Sequence, residues 1–284
     1  MTMFQRPFFY VMRFCLLLSY IFLRPMEAVS KDCFITERPI VVVVVSYNNI
    51  NWYEYNLSSI LLQKYSNYRV VYVDDCSPDG TADAVEDFVY SLNQQHRFTL
   101  VRNQKRLGSP LANHYQAIMQ YCNDDEIVVC VDGDDWLAYE TVLQKINAAY
   151  ANEDVWLTHG TLMEYPSGVV GWSQPVPEEY VLRNAFREYR CPTHLKTFYA
   201  WLFKKIDKAD LQRDGDFFIA TGDQAMMFPM VEMAAERHVF IDDILYVYNM
   251  DNPLGESRVH TKLQNDYEAI IRSMPPYRRL DDKP

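Results

Sequence analysis

The chain lacks the glycine-rich patterns that mark the commonest nucleotide-binding folds. It has 9 glycines in 284 residues, and neither Gly-x-Gly-x-x-Gly nor Gly-x-x-x-x-Gly-Lys-Ser/Thr occurs. These absences argue against a dinucleotide-dependent dehydrogenase and against a P-loop enzyme. Its 6 cysteines stand at positions 15, 33, 76, 122, 130 and 191. Because they lack metal-ligand spacing, we expect neither a cysteine metal site nor a disulfide framework.

Positive charge is also scarce. The 27 Lys and Arg residues are outnumbered by 38 Asp and Glu residues, which gives a net charge of −11 at pH 7. Binding to a nucleic acid needs clustered basic side chains against the phosphates, so we expect no nucleic-acid partner. A single nucleotide is not excluded, because a bound metal ion can supply the positive charge. With 49% apolar residues, the chain can bury one substantial core.

The first half of the sequence alternates between strand and helix patterns. An unbroken β-branched run at residues 40–45 is typical of a strand buried on both faces. Further strands are predicted at 69–73, 97–101 and 126–131, and helices at 52–64, from 81 onward and from 110 to about 122. This alternation predicts an α/β fold, with a mostly parallel central sheet, right-handed crossovers and flanking helices.

The most informative motif is Asp132-Gly133-Asp134-Asp135, directly after the fourth predicted strand. Open α/β sheets bind ligands at the carboxyl ends of their strands. Asp132 and Asp134 alternate, so both can face one side. Carboxylates this close repel one another unless a cation lies between them, and Mg²⁺ or Mn²⁺ is the expected guest. The alternative for so short a motif is a solvated acidic turn.

Polar side chains also follow the other predicted strands, and core packing explains this poorly. A parallel sheet would align them along one carboxyl edge. The residues expected at this edge are Ser46, Asp74, Asp75, Asn103, Asp132 and Asp134.

Together these segments resemble the family 2 glycosyltransferases, which have the GT-A fold. The resemblance rests on Val-Ser-Tyr-Asn at 45–48, Asp-Asp-Cys-Ser-Pro-Asp-Gly-Thr at 74–81, residues 103–113 and Asp-Gly-Asp-Asp at 132–135. It implies a GT-A domain over 38–262, with a nucleotide-sugar half at 38–145 and an acceptor half at 146–262. Such enzymes transfer a sugar from a nucleotide-activated donor, usually with inversion and with a divalent metal.

The resemblance implies a donor-binding role for several of these residues. Ser46, Asp74 and Asp75 match positions at which the family holds the base and ribose. Asp74 and Asp75 could instead start a turn and bond their own loop. Arg106 lies where the family often has a basic group near the base or phosphates, with a plain surface charge as the alternative.

The metal is expected to be Mn²⁺ or Mg²⁺. By resemblance, Asp134 is the metal ligand proper and Asp132 contacts the ribose or the metal. His260 stands where some relatives have a metal-binding or diphosphate-binding residue, and a solvated histidine is the alternative reading.

The second half is expected to supply the catalytic base. The family commonly places it in a Glu-Asp pair that opens a helix, and Asp223 matches the Asp of that pair. The chain departs from the pattern at Gly222, and Asp223 could instead be a plain helix N-cap. A helix-like stretch is predicted at 194–203, and within it Trp201 is expected to pack in the core rather than to stack on a sugar.

The two ends of the chain are expected to lie outside the catalytic domain. Ten mostly apolar residues at 14–23 follow two arginines, which fits a signal peptide and is short for a membrane span. Residues 1–30 are therefore predicted to be a signal peptide or a membrane anchor, with the protein membrane-associated or entering a secretory pathway. Residues 263–284 are expected to form a peripheral tail.

The resulting hypothesis is metal-dependent transfer of a sugar from a nucleotide-sugar donor, expected to be UDP-linked. The acceptor is a glycan, a lipid or a protein. The alternative is a non-catalytic nucleotide-sugar or carbohydrate-binding protein on the same fold, because a fold alone does not fix function.

Overall fold

The computed structural model describes residues 36–190, 192–255 and 261–284. The expected signal peptide or anchor at residues 1–30 and the candidate ligand His260 lie outside these ranges. Within them, no helix combines the length and the apolar character needed to cross a membrane.

The first half of the described chain alternates strands and helices, as predicted. The elements are β1 (Ile40–Ser46), α1 (Tyr53–Leu61), β2 (Tyr68–Asp74), α2 (Thr81–Ser91), β3 (Phe98–Arg102), α3 (Pro110–Tyr121) and β4 (Ile127–Asp132). Each of the four strands begins within one residue of its predicted start. The predicted start of α3 is confirmed as well, because Ser109 caps it by accepting a hydrogen bond from the Ala112 amide at 3.1 Å.

The second half adds shorter strands and helices. They are β5 (Trp136–Leu137), α4 (Val142–Ala149), β6 (Leu157–Tyr165), α5 (Glu178–Arg183), β7 (Thr193–Tyr199), α6 (Ala200–Lys204), β8 (Gln212–Arg213), β9 (Asp216–Phe217), α7 (Gly222–Ala234), β10 (His238–Asn249) and α8 (Thr261–Ser273).

Eight strands form one sheet in the order β3-β2-β1-β4-β7-β6-β10-β5. The β3 to β4 half is parallel throughout, and β10 runs parallel to β6. Strand β7 is antiparallel to β4 and β6, and β5 is antiparallel to β10. The predicted fold class is confirmed: a mixed, mostly parallel central sheet flanked by helices.

The strand register aligns the polar residues at the carboxyl edge. Ser46 pairs with Asp74 across β1 and β2, and Val45 pairs with Asp132 across β1 and β4. All seven residues of β1 are buried, which explains why this strand needs an unbroken apolar run before its terminal serine.

The helix-like prediction for residues 194–203 is wrong for its first half. Residues Thr193–Tyr199 form β7, and the helix is limited to Ala200–Lys204. The Thr197 hydroxyl lies 2.9 Å from the Tyr150 hydroxyl and 2.7 Å from that of Thr158, in the core. Pairing with β4 and β6 overrides the local helical spacing.

The segment at 263–284 differs from the peripheral tail that we expected. Ile271 is 1% exposed, and its carbonyl accepts a hydrogen bond from Arg187 at 2.5 Å. Beyond α8, the amide of Tyr277 donates to Glu232 at 2.9 Å, and the Leu280 amide donates to the Met233 carbonyl at 3.0 Å. The segment therefore packs against α7, which is apolar on all sides and needs cover.

Candidate active site

A cleft of about 370 Å³ opens at the carboxyl edge of the sheet. The predicted site residues that line it are Ser46, Asp75, Arg106, Asp132, Asp134 and Asp223. Asp74 is 2% exposed and does not line the cleft. The structure thus brings together carboxylates from the first half and from the second half of the chain.

Gly133 lets the loop between the two cleft aspartates lie directly on β1. A Cβ atom at this position would be 2.6 Å from the Cβ of Ser46 and 2.7 Å from its Oγ. The Gly133 amide also donates to the Val45 carbonyl at 2.8 Å. Since no side chain fits, the glycine is what allows Asp132 and Asp134 to sit against the end of β1.

Asp135 has a structural part in this loop. It is 1% exposed, accepts from the Tyr246 hydroxyl at 2.7 Å, and accepts from the Asn249 amide at 2.7 Å. The Nδ2 of Asn56 donates to the carbonyls of Asp132 at 2.9 Å and Asp135 at 2.8 Å. These bonds tie the loop to β10 and α1, so the position of the two cleft carboxylates is fixed from behind.

Asp134 and Asp132 concentrate negative charge in the cleft. Burial, together with the neighbouring Asp132, raises the pKa of Asp134 to about 6. The Nδ2 of Asn252 donates to Asp134 at 2.6 Å and orients its carboxylate.

The same two carboxylates suit a hard divalent cation. In the described part of the chain, no three His, Cys, Asp or Glu side chains are grouped closely enough to enclose a metal ion. However, Mg²⁺ at nucleotide sites is usually held by one or two carboxylates together with the substrate phosphates. Asp132 and Asp134 fit that kind of open site, and their mutual repulsion would be relieved by a cation.

Asp75 shapes the loop that forms one wall of the cleft. It is 3% exposed and accepts from Asn103 Nδ2 at 2.8 Å, from the Leu107 amide at 2.7 Å and from the Gly108 amide at 2.9 Å. It therefore holds the loop after β3, rather than bonding its own loop.

Asp74 makes the local bond expected of a turn starter. One of its carboxylate oxygens accepts from the Ser77 amide at 2.9 Å. The other is buried, and no partner for it is found among the described residues. One acceptor position of Asp74 is thus left without a donor from the part of the chain that the structure describes.

Arg106 stands at the outer wall of the cleft. It is exposed, and its guanidinium carbon lies 3.7 Å from the centre of the Tyr47 ring. This stacking orients the cation over an aromatic face, and both side chains line the cleft.

Asp223 reaches the cleft from the first turn of α7. The ammonium of Lys196 donates a hydrogen bond to its Oδ1, and Nε2 of His194 lies 3.4 Å from its Oδ2. The side chain of Asp223 is 45% exposed, whereas that of Lys196 is 1% exposed. Asp223 is not the helix cap, since the N-cap residue is Thr221 and Asp223 bonds to β7 instead.

The charge state of this pair follows from its contacts. Burial alone would raise the pKa of Asp223, but the Lys196 ammonium and the His194 ring outweigh it and hold that pKa well below its usual range. Burial likewise opposes the charge on Lys196, yet Asp223 and then Asp132 raise the pKa of its ammonium. The pair is therefore fully ionised at neutral pH.

Close packing accounts for the glycine that precedes Asp223. A Cβ atom on Gly222 would lie 3.0 Å from the Cβ of Leu111 on α3. A side chain at residue 222 would require Leu111 to shift, so the close packing of α7 on α3 favours the small residue found here in place of the Glu of a Glu-Asp pair.

Three further residues of the site were missed by reasoning from the sequence: His194, Lys196 and Asn252, of which His194 and Asn252 line the cleft and Lys196 is buried. Alternation could have indicated the first two, because residues two apart on a strand face the same side and both contact Asp223. Nothing in the local sequence marks Asn252.

The expectation for Trp201 is confirmed, since it is 5% exposed and packs edge-on against Trp156, with ring centres 5.0 Å apart.

Several solved structures share this architecture. TarS from S. aureus is 20% identical, with a TM-score of 0.57 over 75% of this chain and 37% of that chain. TarS 1–349 in complex with UDP-GlcNAc is 18% identical, with a TM-score of 0.58 over 82% of this chain and 65% of that chain. The chain thus spans well under half of the longer TarS structure.

A mannosyltransferase, PcManGT from Pyrobaculum calidifontis in complex with GDP-Man and Mn²⁺, is 21% identical, with a TM-score of 0.59 over 90% of this chain and 70% of that chain. At these identities the likeness shows the fold, and the predicted GT-A fold is confirmed.

No curated protein sequence matches the chain. The family model for glycosyl transferase family 2 matches residues 41–229. Because that match covers more than half of the sequence, the chain belongs to glycosyl transferase family 2.

Proposed function

We propose that the protein transfers a sugar from a nucleotide-sugar donor, UDP-linked, to an acceptor hydroxyl with inversion at the anomeric carbon, and that it needs Mn²⁺ or Mg²⁺. One observation carries the proposal: Asp132 and Asp134 at the strand ends and Asp223 on α7 line the same cleft. Inverting transfer needs both a site for the leaving diphosphate and a separate base.

The first-half wall of the cleft supplies the donor site. In this proposal Ser46, Asp74 and Asp75 hold the base and ribose, while Arg106 on the Tyr47 ring meets the base or the phosphates. Ser46, Asp75 and Arg106 line the cleft, and this supports the assignment for these three residues.

Asp134 and Asp132 would hold the divalent cation, with Asn252 orienting the Asp134 carboxylate. When bound, the cation neutralises the charge that develops on the leaving diphosphate. The Mn²⁺ recorded with GDP-Man in PcManGT supports this choice of metal. His260 remains a proposed additional ligand.

Asp223 would act as the general base that removes the proton from the acceptor hydroxyl. Its side chain is 45% exposed to the cleft, and its lowered pKa keeps it ionised. Lys196 and His194 hold the carboxylate in one position without occupying the space in front of it. A fixed, ionised carboxylate is suited to accept a proton as the hydroxyl attacks the anomeric carbon.

The acceptor is proposed to be a glycan, a lipid or a protein. Membrane association, or entry into a secretory pathway through residues 1–30, remains part of the proposal.

The test is a panel of UDP-linked and GDP-linked sugars in which release of nucleoside diphosphate is measured without added acceptor. We expect slow hydrolysis of one UDP-linked donor, dependent on Mn²⁺ or Mg²⁺ and abolished by EDTA. Hydrolysis that survives EDTA would contradict the metal requirement. Donor binding with no release, even with glycan, lipid and protein acceptors added, would support the non-catalytic alternative. A preference for GDP-linked sugars would overturn the choice of nucleotide.

A further inference from the structure

Four aromatic side chains lie in a row on the surface, outside the set of residues that line the cleft. The aromatic row consists of Trp52, Tyr55, Trp136 and Tyr165, and successive ring centres are 6.4, 5.6 and 5.2 Å apart. Tyr55 is 56% exposed and Tyr165 is 41% exposed, while the two tryptophans are partly exposed. The residues come from the segment before α1, from α1 itself, from β5 and from the end of β6, so the row is made by the fold and not by one helix face.

The aromatic row is not an extension of the core. The buried pair Trp156 and Trp201 shows how this chain packs aromatic rings internally, at 2% and 5% exposure. In the row, by contrast, large apolar faces remain open to solvent. A contiguous exposed apolar surface on a folded domain usually marks a binding site.

Hydrogen bonds attach the aromatic row to the carboxylate loop of the cleft. Asn56, which follows Tyr55, is fully buried and donates to the carbonyls of Asp132 and Asp135. Trp136 directly follows Asp135 in the chain. The two central rings are therefore held by the same contacts that fix the cleft carboxylates.

The far end of the row is tied to the cleft as well. The Tyr165 carbonyl accepts from the Met250 amide at 2.8 Å, and two residues later Asn252 donates to Asp134. The row is therefore joined through hydrogen-bonded neighbours to Asp132 and Asp134, both of which line the cleft.

We propose that the aromatic row binds the acceptor and that the acceptor is a neutral oligosaccharide. This inference rests on the proposed function, since it names the acceptor class of that same site. A pyranose ring has an apolar C–H face and a polar rim of hydroxyls, and the flat rings of Trp and Tyr present an apolar face with a polar edge. Several adjoining rings suit a chain of sugars better than a single one.

The charge around the aromatic row favours a neutral ligand. No Lys or Arg occurs within two residues of any of its four members, whereas the exposed Glu54 and the partly exposed Glu164 are direct neighbours in the chain. An anionic membrane surface attracts clustered Lys and Arg, which this part of the sequence does not offer. Carboxylates, by contrast, accept hydrogen bonds from sugar hydroxyls.

Equilibrium binding without any donor tests the proposal. The probes are mono-, di- and tetrasaccharides of glucose, N-acetylglucosamine, galactose and mannose, titrated by calorimetry and tryptophan fluorescence. We expect affinity for at least one series to rise with length. Tyr55→Ala should weaken the best tetrasaccharide roughly tenfold, and Tyr55→Phe should retain its affinity because the ring remains. Tyr90→Ala is the matched control, since Tyr90 is 72% exposed on α2, away from the row, and should leave the affinity unchanged.

Three results would overturn the proposal. The first is that no oligosaccharide binds at any length, and the second is that Tyr55→Ala and the wild type bind with equal affinity. The third is that no oligosaccharide binds while the wild type, but not Tyr55→Ala, binds neutral phosphatidylcholine vesicles or a second copy of the chain. Because no donor is present, failure here is separable from failure of the proposed function. Oligosaccharide binding without any nucleoside diphosphate release would contradict the function and leave the row a glycan-binding surface.

Discussion

Lys196 and Asp223 form an ion pair in which only the carboxylate is accessible from the cleft. Lys196 lies on β7 with its side chain 1% exposed, and Asp223 lies at the head of α7 with its side chain 45% exposed. The cation can therefore set the charge state of the carboxylate without touching a substrate. This arrangement makes Lys196 a positioning residue for the proposed base, and it can be tested separately from the base.

Lys196→Met is expected to move the acid limb of the pH profile for donor hydrolysis to higher pH. The Lys196 ammonium lowers the pKa of Asp223, so removing it raises that pKa, and protonation of the base then begins at a higher pH. His194 on β7, His114 on α3 and Asp132 at the end of β4 also face this pair and remain in the variant. Methionine fills a similar volume, which limits the loss of packing.

The measurement is kcat/KM for nucleoside diphosphate release as a function of pH, because this ratio reports ionisation of the free enzyme. Mn²⁺ is kept saturating, so that protonation of Asp134, whose pKa is about 6, does not set the acid limb. Lys145→Met is the control, since Lys145 pairs with Asp243 and both side chains are about half exposed. A smaller folded fraction would scale the whole profile without shifting it. An unshifted acid limb in Lys196→Met would show that the ion pair does not tune the base.

Asp223→Asn is expected to lower turnover by about 10²–10⁴-fold, the usual contribution of a general base. The amide keeps the shape of the side chain but cannot take up the proton. Affinity for the donor and for Mn²⁺ should remain near that of the wild type, which calorimetry can measure. Asp87→Asn, an exposed change on α2, serves as the control. Near-normal turnover would remove Asp223 from the mechanism, and loss of donor binding would indicate a structural role.

Asp134→Asn is expected to weaken binding of Mn²⁺ and of UDP together. The substitution removes one of the two cleft carboxylates while its Oδ1 can still accept from Asn252, so the loop should keep its position. Because the cation is held jointly by protein and phosphates, losing one anionic ligand affects both partners. Calorimetric titration of UDP with and without Mn²⁺ measures the coupling. Unchanged affinity for both would show that Asp134 is not a ligand.

Local pattern was enough to predict the carboxyl edge but not the contacts that complete the site. The buried run of β1 and the alternation of Asp132 and Asp134 are short-range features, and they predicted the carboxyl edge of the sheet correctly. The Lys196–Asp223 pair joins residues 27 apart in the chain, and the local spacing at residues 194–203 favoured a helix over the strand that places Lys196 there. The bond between Asn252 and Asp134 spans 118 residues, a separation over which a single sequence gives no signal.

The same limit applies to the tail and to the glycines. The packing of residues 263–284 depends on α7 being apolar on every side, and the sequence does not say which segment covers it. The sequence shows Gly222 only as a departure from the family pattern. Its closeness to Leu111 is visible only in the structure. Close approach of two backbones is a tertiary property, so a glycine required for it is indistinguishable in sequence from any other glycine.

Gly133→Ala tests whether contact with β1 is what holds the cleft carboxylates in place. Gly133 is not among the described glycines with positive φ, so alanine is acceptable to the backbone. The cost arises from its Cβ, which would lie 2.6 Å from the Cβ of Ser46. We expect a loss of about 1–3 kcal/mol in the free energy of unfolding, typical of overpacking, and weaker UDP binding because Asp132 and Asp134 are displaced.

A second substitution separates this contact from any other cost of the added methyl group. Ser46→Gly removes both Ser46 atoms that the new Cβ would meet, so the double variant should regain a large part of the lost stability. A clash with Nδ2 of the buried Asn49 at 2.7 Å remains. Gly215→Ala is the control: its φ is +92° and no atom lies within 4 Å of a Cβ there, so Ser46→Gly should not relieve its cost. Chemical denaturation measures the wild type, the three single variants and the two double variants. If Ser46→Gly restores nothing to Gly133→Ala, the loop is held by other contacts, and the Asn56 bonds to the carbonyls of Asp132 and Asp135 would be the next to remove.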